Sequence, residues 1–122
     1  MMRFSRAYYI IGVLAILLLA SCGKQYEAKQ MVKAFVKENA VEEIDITSFS
    51  DLDSTKVISD SLLQAMREKA TQDPLFKKGT KMTAERTDAT LLYIRMRYGA
   101  DSLNLSKTFY FDRDLTGIVA FK

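Results

Sequence analysis

Histidine and tryptophan are absent from the 122 residues, cysteine occurs once, at Cys22, and proline once, at Pro74. Each gap excludes something. Without histidine the chain lacks the side chain that most often serves as a base near neutral pH, and with one cysteine it lacks the usual zinc donor sets. A lone cysteine also forbids an intramolecular disulfide, so apolar packing must hold the fold. The residue count suits one domain, since single domains usually run to about 100 to 150 residues. No long apolar run occurs outside Ala7 to Ala20.

That run is uncharged for 14 residues and follows Arg3 and Arg6, which is the charged start and apolar middle of an export signal. As a helix it reaches roughly 21 Å at 1.5 Å per residue. A stable span needs about 30 Å, so the segment suits export better than permanent anchoring. Leu19-Ala20-Ser21-Cys22 follows directly. This resembles the lipobox of bacterial lipoprotein precursors, and the Ser21-Cys22-Gly23 ending is similar to lipoproteins of the Bacteroides group. The resemblance implies that residues 1–21 are a removed signal peptide with a helical core. It further implies that Cys22 carries a diacylglycerol and an acylated amine, which makes membrane lipid a partner. Two or three chains, at about 0.8 kcal/mol per buried methylene, hold permanently where one is marginal. Gly23 in place of an aspartate after the cysteine implies an outer-membrane destination, and the mixed Lys24-Gln25-Tyr26-Glu27 stretch favours its periplasmic side, with the cell surface or the inner membrane as alternatives.

Removing Arg3 and Arg6 from eighteen basic residues leaves sixteen, against fifteen acids. A net charge near balance creates no field able to draw the protein onto a polyanion, so nucleic acid is not an expected partner.

After a short tether over residues 22–25, a single domain is expected over 26–122. Ala28, Met31, Val32, Phe35 and Val36 follow the spacing of one helical face between Tyr26 and Val41, with Lys29, Lys33 and Lys37 along another edge. Glu43 to Thr47 alternates like a short strand, and Ser48 to Ser54 reads as a loop. Ser59 is a candidate cap for a second helix that runs to about Thr71, buries Leu62, Leu63, Met66 and Ala70, and stops before Pro74. Lys81 to Thr87 is expected to add a strand ahead of Leu91. Leu92, Ile94, Met96 and Tyr98 then alternate with polar neighbours, as do Leu103, Leu105, Phe109 and Phe111. Folding these on a four-residue turn, Gly99 to Ser102, sets Met96 opposite Leu105 and Leu92 opposite Phe109. Ile118 to Phe121 closes the chain as a strand. The expectation is an α+β domain: two helices packed on one face of an antiparallel sheet of three to five strands. This order resembles cystatin-like and nuclear-transport-factor-like small folds, which host enzymes, inhibitors and binding modules alike.

The other face of the hairpin presents Tyr93, Arg95, Arg97, Asn104, Ser106, Thr108 and Tyr110. Tyrosine and arginine are frequent anchors of interfaces, and a guanidinium grips a carboxylate or phosphate through two bonds, so Tyr93, Arg95, Arg97 and Tyr110 are the candidate binding residues. The same residues also suit the solvated side of a half-buried sheet. Asp112 and Asp114 invite comparison with a calcium loop, but calcium takes six to eight oxygens and two acids do not supply them. Lys107 falls on the apolar side of its strand and is expected to reach past the sheet edge, ammonium in water. No pattern calls for a cofactor. The function expected is a membrane-anchored, non-enzymatic domain that binds something in the envelope: another protein, a cell-wall or glycan component, or a small apolar ligand. An inhibitor of an envelope or host enzyme is one alternative. A small hydrolase or isomerase working through carboxylates is the other.

Overall fold

The computed structural model describes residues 23–122 except Asp101, and the expected signal helix and Cys22 lie outside the described residues. The described chain is an α+β fold, two helices with a five-stranded antiparallel sheet.

Helix α1 covers residues 23–39 of the described chain. Its expected stripe is its buried face: Ala28 and Val32 are fully covered, with Phe35 and Val36 close behind. Lys33 and Lys37 stay exposed, the Lys33 Nζ lying 6.0 Å from the centre of the Phe49 ring. Residues 23–25, expected as a tether, are helical, and Gln25 is already fastened to the body. Its Oε1 accepts from the Leu52 amide at 3.2 Å and its Nε2 donates to Asp51 Oδ1 at 3.3 Å.

β1 (Asp45–Phe49) lies two residues later than its expected place, and β2 (Asp53–Thr55) occupies what read as loop. Both pair with the same side of β3 (Leu91–Ala100), Asp45 opposite Gly99 and Asp53 opposite Tyr93, so they form one edge broken in the middle. Ser50 spans the break: its amide donates to the Arg95 carbonyl and its hydroxyl accepts from the Arg95 amide. A bulge between Ile46 and Ser48 shifts the register further.

β3 continues into β4 (Leu103–Asp112), paired from Leu91–Asp112 to Ala100–Leu103. The turn is therefore two residues long, not four, with Ser102 at a φ of 66°. Met96 faces Lys107 and Leu92 faces Phe111, a slip of two from the expected register. A shift of two keeps every side chain on its expected face. β5 (Ile118–Phe121) completes the sheet beside β4.

One sheet face is covered by α1. Phe35 meets Phe76, Phe109 and Phe121 edge-on at centroid distances of 5.5, 6.0 and 5.8 Å, among Ile94, Met96, Phe111 and Ile118. Such pairs add about 0.5–1.5 kcal/mol each beyond their buried area.

Helix α2 (Asp60–Ala70) has the expected ends. Ser59 accepts from the Leu62 amide at 3.2 Å, Asp60 opens the helix, and Arg67 and Lys69 close it, each charge matched to the helix dipole. Its position corrects the expectation of both helices on one face. Leu63 and Met66 pack with Leu91, Tyr110, Val119 and Ala120, which lie across the sheet from the α1 core, and only Ala70 reaches the first cluster. Leu62 points elsewhere and is 49% exposed. The cause is β5, apolar at every position and buried throughout, so both of its sides need cover.

Lys81 to Thr87 forms no strand. It runs along the outer edge of β5, where the amides of Thr83 and Ala84 donate to the Ile118 carbonyl and the Thr83 hydroxyl accepts from the Ile118 amide. Arg67 clamps this segment, giving two bonds of 2.8 and 2.9 Å to the Glu85 carboxylate and one to the Ala84 carbonyl. The hydrogen bonds from Arg67, then its charge, hold the Glu85 carboxyl below its ordinary pKa.

Candidate functional site

Alternation along β3 sends Tyr93, Arg95 and Arg97 to the face opposite α1, and the antiparallel register sets Tyr110, Thr108 and Ser106 directly across from them. The four expected binding residues thus share a face. They do not share an environment. α2 covers one end of this face, so Tyr110 is buried beneath Leu63 and Met66. Tyr93 is half-buried against it, ring centres 5.9 Å apart, while Arg95 and Arg97 remain exposed on the uncovered half. Of the four, Arg95 and Arg97 alone lie exposed on the uncovered half.

The Tyr93 hydroxyl donates to Asp53 Oδ2 at 3.3 Å. The negative charge of Asp53 raises the phenol pKa above its ordinary value, with partial burial and the hydrogen bond adding to the effect. Tyr93 therefore belongs to an edge contact with β2.

That open half is a shallow groove of about 430 Å³ lined by Thr47, Ser48, Arg95, Arg97, Asn104 and Ser106, with Tyr98 and Leu105 at its rim. The lining contains two guanidinium groups, three hydroxyls and a carboxamide, and no carboxylate. Among the described residues neither arginine takes part in an ion pair. Among the described residues, Asp45 opposite Gly99 and Asp53 opposite Tyr93 stand at the two ends of the open half of this face. Two positions apart on a strand, Arg95 and Arg97 have Cα atoms roughly 6.7 Å apart. Such a surface can grip carboxylates or phosphates through paired N–H donors and satisfy their remaining lone pairs with hydroxyls.

Thr47 and Ser48 were not legible as part of this groove, because the bulge that brings Ser48 opposite Arg97 has no local signal. Thr47 also ties the two strands, its hydroxyl donating to the Arg97 carbonyl at 3.2 Å.

Elsewhere, two charged side chains singled out in the sequence, Lys107 and Asp112, are engaged within the fold. A hollow of about 920 Å³ lies between Val41–Asp45, Pro74–Leu75 and the strand residues Tyr98, Leu105 and Lys107. Lys107 does not extend into water as expected but pairs with Asp73 in its wall. Asp112 is 1% exposed, yet its oxygens accept from the Thr116 amide and hydroxyl at 2.8 and 2.7 Å and from the Gly117 amide at 3.2 Å. Its carboxylate closes the loop in which Leu115 adopts a φ of 55°. Among the described residues no three acids or cysteines gather as a metal site, and no helix is long and apolar enough to cross a membrane. No protein-family model, no curated protein and no solved structure matches the chain.

Proposed function

We propose that this chain is a lipid-anchored domain of the bacterial envelope, held to the outer membrane through an acylated Cys22, which acts as a non-enzymatic binding module. The partner meets it on the Arg95–Arg97 half of the sheet. One observation carries the binding reading: two exposed arginines stand side by side in a groove whose lining holds no acid, while the other half of that face is closed by α2. Exposed guanidinium groups backed by fixed hydroxyls on a rigid strand are suited to recognition, because the scaffold loses little freedom when a ligand arrives. The anchoring reading rests on the Leu19-Ala20-Ser21-Cys22 sequence behind a charged and apolar leader.

Two measurements test the two halves. Cells fed a radioactive fatty acid are expected to label the wild type and not Cys22→Ala, and label kept by the variant overturns the anchor. Cross-linking in native membranes is expected to capture a partner that Arg95→Ala/Arg97→Ala loses, and an unchanged capture profile overturns the binding face.

A further inference from the structure

We infer that the occupant of the Arg95–Arg97 groove is a short acidic peptide segment of a partner protein, bound extended, with two carboxylates two residues apart. The inference rests on this face being the binding surface and deepens it to a ligand chemistry. An extended peptide advances by the same rise per residue as β3, so its alternate side chains repeat at roughly 6.7 Å, the spacing of the two arginine Cα atoms. A peptide lying along β3 therefore meets both guanidinium groups with alternate residues. Its intervening side chains face solvent. Ser48, Asn104 and Ser106 flank the arginines on both neighbouring strands and supply hydroxyl and amide groups to carboxylate oxygens or peptide groups left unpaired, while the Thr47 hydroxyl, already given to the Arg97 carbonyl, holds the strands together beneath them.

The ends of the face limit how long the acidic run can be. Along β3, Asp45 lies beyond Arg97 and Asp53 beyond Arg95, so in the strand direction the two arginines are bounded by an acid at each end, while Lys122, bonded across from Thr108, adds a cation only to the side. A ligand of unbroken negative charge, such as an acidic glycan chain or an anionic membrane, gains at the centre and is repelled at the rims. A segment with one acid–x–acid step and neutral or basic flanks meets no such repulsion. Charge complementarity thus favours the short peptide.

The test uses the full-length chain in detergent micelles and fluorescence anisotropy of labelled peptides. One peptide carries a pair of glutamates two residues apart in a neutral background, a second the same pair three residues apart, and a third an unbroken glutamate run. The first is expected to bind most tightly, to weaken with added salt, and to lose about tenfold or more in affinity with Arg95→Ala/Arg97→Ala, since two charge-assisted contacts go. Thermal melting of that variant is expected to match wild type, both side chains being exposed. Asp45→Asn is expected to improve binding of the glutamate run and leave the paired peptide nearly unchanged. Equal affinity for all three peptides, or for wild type and the double alanine variant, overturns the inference. So does capture by phosphatidylglycerol vesicles or an anionic polysaccharide in preference to the paired peptide. If peptide binding fails while native cross-linking still depends on Arg95 and Arg97, the occupant is wrong and the binding face stands. If the cross-linking is also indifferent to both arginines, the face itself is wrong.

Discussion

Lys107 and Asp73 form an ion pair 2.5 Å apart with side chains only 16% and 13% exposed, joining the apolar side of β4 to the corner that ends α2. Asp73 has a second task, accepting from the Leu75 amide at 3.0 Å to shape the turn around Pro74. Shielded pairs are costly to halve and can be dispensed with when both partners go. Each single change halves the pair: Lys107→Met leaves the Asp73 carboxylate with only its bond from the Leu75 amide and is expected to lose about 1–2 kcal/mol, whereas Asp73→Ala strands an ammonium and opens the turn as well and loses about 2–4 kcal/mol. Urea unfolding of the two variants checks the order. A larger loss for Lys107→Met contradicts it.

Placement of α2 is open to a direct check. Leu63 is 6% exposed and Leu62 is 49% exposed, although they are neighbours in sequence and alike in chemistry. Leu63→Ala is expected to cost about 2–4 kcal/mol and Leu62→Ala less than about 1 kcal/mol by thermal or chemical unfolding. Equal losses mean that α2 buries a different stripe.

Gly117 sits where the chain passes from the Asp112 loop into β5. A methyl group built there lies 2.6 Å from the Thr83 hydroxyl and 3.0 Å from the Ala84 side chain. Gly117→Ala therefore pushes the Thr83–Ala84 segment off the edge of β5, at a cost of about 1–3 kcal/mol. Hydrogen exchange at the Ile118 amide, which donates to the Thr83 hydroxyl, is expected to accelerate. Unchanged exchange at that amide contradicts this account.

Tyr93 predicts an alkaline effect. Its folded pKa is raised above the usual phenol value of 10.0, chiefly by the charge of Asp53, so the folded state holds the proton more firmly than the unfolded one. The contribution is complete below the unfolded pKa and is lost as pH climbs through the folded value. Stability of the wild type is thus expected to decline above pH 10 more steeply than that of Asp53→Asn. A phenolate absorbance titration should show one tyrosine ionising at lower pH in the variant. Superimposable titrations count against the contact.

Much of the architecture was readable where local rules suffice. The ends of α2 followed from Ser59 and from Asp73-Pro74, because capping geometry and proline sterics act within a few residues. The face of each residue in β3 and β4 followed from alternation alone, which is why Tyr93, Arg95, Arg97 and Tyr110 do lie on one side. What escaped depends on distant partners. β2, Asp-Ser-Thr, has no strand character of its own and is extended only because β3 offers an unpaired edge. The side of the sheet that α2 chooses decides that Tyr110 is buried and Arg95 is open, and no spacing inside α2 encodes it. The unbroken apolar run of β5 was the available hint that both faces are covered.

The outer border of this sheet offers one run of five residues and another of three, parted by Ser50, Asp51 and Leu52 and skewed by the bulge at Ile46. A foreign backbone hunting for a long row of free amides and carbonyls finds neither the length nor the straightness to zip onto it. Neighbouring copies can meet without fusing into fibres, and the rim opposite is already occupied by Thr83 and Ala84. Of the surfaces a partner of the proposed kind could use, the flat of the sheet is thereby the one left open.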